Sequence, residues 1–208
     1  MSGIIGVSPN MRSGVLGAVS RGQWQLLQEK ETVDVSNSEI DLGNATSGGH
    51  VTGDGTPFCS AYRDYKIVGS EVAVSPGAEI RFRWSVGSLL TSGYKTVAHG
   101  VDSGGTARDS NHTNSDYAYM TASGIVQAGS TGAYGGINFE MYLNRAAETN
   151  RTVVYGHSAY RQDNHSGQVQ YTSFAANQEG SGGAIGYVRI YASTSIRTAK
   201  ISLYGLAL

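Results

Sequence analysis

Five histidines and sixteen carboxylates are the side chains of this sequence best suited to acid–base or metal chemistry, and their spacing is the first constraint on function. His99, Asp102 and Ser103 hold the residue types of a nucleophilic triad, and Asp163 and His165 offer a second carboxylate–imidazole pair. A working triad needs the base within hydrogen-bond reach of the nucleophile and a third group to orient it. No Gly-x-Ser-x-Gly elbow is present, and the chain has no segment that reads as the helix such an elbow requires. These residues are expected to be polar positions in surface loops, and no catalytic residue is assigned.

His157, Asp163 and His165 are close in sequence, and Asp109 and His112 occupy another polar stretch that reads as a loop. Imidazole and carboxylate ligands suit zinc, nickel or calcium, but there is neither a His-Glu-x-x-His helix nor an EF-hand loop. No metal and no cofactor is expected. The glycine runs at 48–49, 104–105, 135–136 and 182–183 lack the following helix and lysine of a phosphate loop, so they read as hairpin turns. Sequons at Asn44, Asn111, Asn150 and Asn164 have meaning only in a secreted eukaryotic protein. Tyr117, Tyr119, Tyr134, Tyr155 and Tyr160 lie beside stretches of Asn, Asp, Ser and Gly. Tyrosine among short polar neighbours can stack on a sugar ring and hydrogen-bond its hydroxyls, so these five are the candidate ligand positions; the plainer alternative is that most of them fill the core.

The elements that must position these residues read as strands. The chain has 208 residues, of which 29 are Gly, 13 Tyr and only 3 Pro, and 15% are charged. Frequent Gly with few charges favours short strands joined by turns over helices. Glu79 to Val86 alternates most clearly, with Ile80, Phe82, Trp84 and Val86 on one side and Glu79, Arg81, Arg83 and Ser85 on the other. Residues 137–143 and 187–191 alternate as well, and further strand-like runs occur at 24–28, 38–42, 62–68, 94–99, 116–121, 152–160, 168–175 and 198–206. The expected fold is all-β: an antiparallel β-sandwich, with jelly-roll topology the commonest answer to this pattern.

Residues 1–23 differ from the rest. Gly3, Gly6, Gly14, Gly17 and Gly22 interrupt Ile4, Ile5, Val7, Pro9, Met11, Arg12, Val15 and Leu16. Each glycine opposes a helix by about 1 kcal/mol relative to alanine, yet the segment is too apolar for an ordinary disordered tail. It is expected to be an extended arm that docks on a neighbouring subunit, leaving residues 24–208 as the β-domain.

The formal net charge of −1 argues against nucleic acid and acidic membranes as partners. Cys59, the single cysteine, excludes an intrachain disulfide and a cysteine-based zinc knuckle. Neither a signal peptide nor an apolar run of spanning length is evident.

Three stretches carry a family resemblance. Residues 3–14, the run Tyr62-Arg63-Asp64-Tyr65-Lys66-Ile67-Val68-Gly69, and the ending at 186–191 followed by 199–206 together resemble tailed-bacteriophage virion proteins with a jelly-roll domain. The resemblance implies a non-enzymatic homotrimer located on the virion, either a capsid decoration (cement) protein bound to the major capsid protein or a fibre tip that recognises host surface glycans. With an arm leading directly into the β-domain, the chain is proportioned for decoration of the head.

Overall fold

In the computed structural model, residues 22–32, 37–43, 58, 61–75, 78–121, 136–148, 152–161, 169–179 and 182–207 are described. They form twelve strands and, among the described residues, no helix. The strands are β1 (Trp24–Thr32), β2 (Asn37–Gly43), β3 (Tyr62–Val74), β4 (Ile80–Val86), β5 (Ser88–Leu89) and β6 (Tyr94–Asp102). They continue with β7 (Ala107–Ser115), β8 (Ala118–Tyr119), β9 (Ile137–Asn144), β10 (Val154–Arg161), β11 (Val169–Gln178) and β12 (Tyr187–Ala207). All pairings are antiparallel.

The expected β-sandwich is what forms, and β12 organises it. Its first part, residues 187–192, pairs with β2 on one side and β4 on the other, and β8 extends beyond β4. From residue 196 the same strand pairs mainly with β1 and β3, and β3 continues through β9, β10, β11 and β6 to β7. Successive strands therefore alternate between a small sheet (β2, β12, β4, β8) and a broad one (β1, β12, β3, β9): β1 to β2, β3 to β4, β8 to β9, and one half of β12 to the other. That alternation is the jelly-roll arrangement, here with the broad sheet widened by β10, β11, β6 and β7.

Small hydroxylic residues make the corner at which β12 changes sheets. Ser193 N donates to Glu79 O at 3.0 Å, Glu79 N donates to Ser193 Oγ at 3.0 Å, and Ser75 N donates to Ser195 O at 2.9 Å. The turn from β3 to β4 and the bend of β12 thus satisfy each other's backbone groups.

The alternation expected of β4 places Ile80, Phe82 and Trp84 in the core, with Arg81 and Arg83 on the other face. Phe82 tilts against Phe174 of β11 at 5.9 Å, and Trp84 meets Tyr94 of β6 edge-on at 4.8 Å, so the small sheet packs on the widened part of the broad one. Between β3 and β9 the core is so tight that the Phe139 ring fills the place of a side chain at Gly69, 2.1 Å from where a Cβ would stand.

Two expectations change. The polar stretch around Asp109 and His112 is not a loop but β7, the edge strand beside β6; its sequence lacks the apolar alternation that marks a strand because it lies at the margin of the sheet. The strand expected at 116–121 shrinks to the two residues of β8. Residues 1–21 of the arm, including Ile4, Ile5, Val7, Pro9, Met11, Arg12, Val15 and Leu16, lie outside the described residues.

Candidate functional site

His99 and Asp102, which hold residue types of a nucleophilic triad, are not brought together. Along β6, Tyr94, Thr96, Ala98, Gly100 and Asp102 face the interior, while Lys95, Val97, His99 and Val101 face outward. His99 and Asp102 therefore sit on opposite faces of the sheet. Asp102 is a turn residue: its Oδ1 accepts from Thr106 N at 2.9 Å and Gly104 N at 3.0 Å, closing the β6–β7 hairpin. The Thr106 N–H, with Gly104 N–H and Arg108, holds the Asp102 carboxyl below the usual carboxylate value. His99 instead pairs with Asp109 across the β6–β7 ladder on the outer face.

His157 stands 3.9 Å from Glu140, its cross-strand neighbour on β9, and His112 Nε2 meets Ser110 Oγ at 2.6 Å. Among the described residues no three His, Cys, Asp or Glu side chains are grouped to hold a metal ion. Asp163 and His165 lie outside the described residues, as does Tyr134.

The candidate tyrosines separate. Tyr160 is 2% exposed and belongs to the core; it shares the inward parity of Val154 and Ser158 on β10, so its place among ligand positions is corrected. Tyr117 and Tyr119 are half-buried on the outer side of the small sheet. Tyr119 OH donates to Tyr117 OH at 3.0 Å, the Arg81 guanidinium lies 3.9 Å from the Tyr117 ring centre, and His112 stacks on Tyr119 at 4.1 Å. Burial, with the bond to Tyr117, raises the Tyr119 phenol. Arg81 also binds Glu79, Arg83 binds Asp116 and Arg189 binds Asp41 and Glu39. These contacts answer one another's charges, while the Tyr191 hydroxyl beside Arg83 and Tyr117 has no hydrogen-bond partner among the described residues.

Tyr155 stands elsewhere, on the outer face of the broad sheet, where it is 42% exposed and stacks on Tyr142 at 5.4 Å. Tyr142 donates to Glu140 at 2.8 Å, and burial together with that bond pushes its phenol up to about 12. Trp24 meets Tyr142 edge-on at 6.2 Å, Lys66 Nζ lies 5.4 Å from the Trp24 ring centre, and Tyr171 stacks with His157 at 5.8 Å.

The face as a whole is more informative than any one of its residues. Among the described residues the exposed large apolar side chains are Trp24, Leu26, Val97, Val101, Val153, Tyr155, Val169 and Tyr171; strand parity puts seven of them here, and Val153, just before β10, lies beside Val97. Over the first four residues of β11 the usual rule is inverted. Val169 and Tyr171 point outward at 53% exposure each, while Gln170 and Thr172 point inward at 0%. An antiparallel sheet with one wet face normally turns its polar residues to the water. Val97, Val153, Ala175, Asn111, Thr113 and Asn177 also line a shallow groove of about 280 Å³ near the free edge of β7.

Sequence reasoning missed this surface. On β6 and β11 both sets mix apolar and polar side chains, Val97, Val101, Val169 and Tyr171 outward and Tyr94, Ala98, Phe174 and Ala176 inward among Thr96, Gln170 and Thr172, so periodicity alone could not say which set faces the core. No family model, no curated protein and no solved structure matches the chain.

Proposed function

We propose that this chain is a non-enzymatic structural subunit of a bacteriophage particle, a capsid decoration protein that associates as a homotrimer and binds the major capsid protein. The observation that supports the reading best is the outer face of the broad sheet, where β6 and β11 expose Val97, Val101, Val169 and Tyr171. A face of this composition marks a surface that a partner covers. Burial yields about 25 cal/mol per Å² of apolar surface, and a contact of modest area becomes effective when a shell repeats it. The phage assignment itself comes from the sequence resemblance.

The test is co-sedimentation with undecorated capsids. The full chain should pellet with the shells, and Val97→Asp with Val169→Asp, both at exposed positions, should abolish pelleting while leaving the thermal transition in place. Equal pelleting of the double variant would remove the face from the account, and no pelleting of the parent would remove the capsid.

A second reading is favoured by Tyr155 and Tyr171, the two exposed tyrosines of this face: a fibre tip that stacks host glycans on them. Binding of the purified protein to host cells, lost in Tyr155→Ala and Tyr171→Ala, would select it over decoration.

A further inference from the structure

We propose that the outer face of the broad sheet is the seat of residues 1–21 of a neighbouring copy of this chain. The inference rests on the association of copies proposed above and names what fills the face.

The first support is the chemistry of the two surfaces. Residues 1–21 contain Ile4, Ile5, Val7, Met11, Val15, Leu16 and Val19, with Arg12 and Arg21 as the charged side chains and no carboxylate. The face offers exposed Val97, Val153 and Val169 beside a groove of about 280 Å³. It also offers Glu140 and Asp109, whose ion-pair partners among the described residues are His157 and His99 and neither a lysine nor an arginine. A segment that is apolar and purely cationic can pair with Glu140 and Asp109 on an apolar face that also presents Lys66 and Lys95, the latter paired with Glu179.

The second support is where the segment joins the fold. Gly22 N donates to Ala207 O at 3.1 Å, and Ala207 N donates to Gln23 O at 3.3 Å. These bonds follow β12 to its last described residues, so the described chain begins at the rim of the broad sheet, beside its edge strand β1. Extended, residues 1–21 span up to about 70 Å. The eight strands from β1 to β7 measure about 34 Å across at ~4.8 Å per spacing. A segment twice as long as the sheet is wide, joined at its rim, reaches the face of an adjacent molecule. Each copy then gives one segment and receives one, a head-to-tail contact that closes into a ring when the rotation between copies allows it.

The experiment uses the full chain with a benzoylphenylalanine photoprobe in place of Ile5. Unlabelled and 15N-labelled copies are mixed, irradiated and digested, and the cross-linked peptides are weighed. The expected products join a light residue 5 to heavy peptides from 95–101, 153 or 169–177. Adding Val97→Asp, at a position 60% exposed, should lower their yield roughly tenfold or more, because a carboxylate buried against aliphatic groups costs more than the free energy of one decade. Cross-links confined to single chains, attachment to the small sheet, an absence of cross-links, or a yield indifferent to Val97→Asp would each overturn the proposal. Because the assay holds purified protein alone, its failure is distinguishable from loss of capsid binding.

Discussion

Replacing Arg189 by methionine should destabilise the small sheet by about 3 kcal/mol, the range expected when one partner of a largely buried ion pair is removed. Arg189 projects from β12 directly opposite Asp41 of β2. Its Nε donates to Asp41 Oδ1 at 2.7 Å and its Nη2 to Asp41 Oδ2 at 2.8 Å, a two-pronged contact with a residue that is only 7% exposed. Methionine retains most of the apolar stem, so the deficit arises from the carboxylate left without its fork of donors. In a chain of this length 1 kcal/mol moves the melting temperature by roughly 2–4 °C, and the expected loss is therefore about 6–12 °C. The assay is a double-mutant cycle by urea unfolding, with Arg189→Met, Asp41→Leu and the pair. The double variant should recover much of the single-variant loss, since an apolar pair of similar volume replaces a buried ion pair at little cost. A loss below about 0.5 kcal/mol for Arg189→Met, the level of an exposed pair, would refute the pairing of β2 with the first half of β12.

Three further outcomes follow from the core and the turns. Tyr94→Phe should cost about 1–3 kcal/mol in chemical unfolding, because the Tyr94 hydroxyl accepts from Trp84 N at 3.0 Å and donates toward Leu90 O at 3.2 Å deep in the interior; an unchanged midpoint would remove that bond from the account. Gly69→Ala should cost roughly 1–3 kcal/mol by overpacking, since the added methyl must displace the Phe139 ring, and a second change of Phe139→Leu should relieve part of it. Spectrophotometric titration should find two phenols that ionise near 12, Tyr142 and Tyr191, and only one of them in Tyr142→Phe. A raised folded-state value means that the stability contributed by the Tyr142 phenol is intact below its ordinary value of 10 and is lost as pH rises toward 12; a Tyr142 phenol titrating at its ordinary value would contradict the bond to Glu140.

The legible part of the fold was the part in which apolar residues alternate with charged ones. β4 and β9 declare their inward faces because Ile80, Phe82 and Trp84, or Phe139, Met141 and Leu143, face polar neighbours one residue away. β7 was illegible for the opposite reason: Arg108 to Ser115 is polar throughout and is held as a strand by its ladder to β6. The face of Tyr160 could have been found from its two-residue spacing to Ser158 and four-residue spacing to Gly156, had the inward parity of β10 been known from Val154. The exposed surface on β6 and β11 needed the structure, because Val169-Gln170-Tyr171-Thr172 alternates without saying which set is buried.

The proposed association of copies of this chain through the outer face of the broad sheet is tested most directly by sedimentation equilibrium of the purified full chain. The account predicts a mass three times the 21.9 kDa of the monomer, falling to a single copy when Val97→Asp and Val169→Asp are introduced together. A monomeric mass in the parent at micromolar concentration, or a trimer that survives both substitutions, would contradict it.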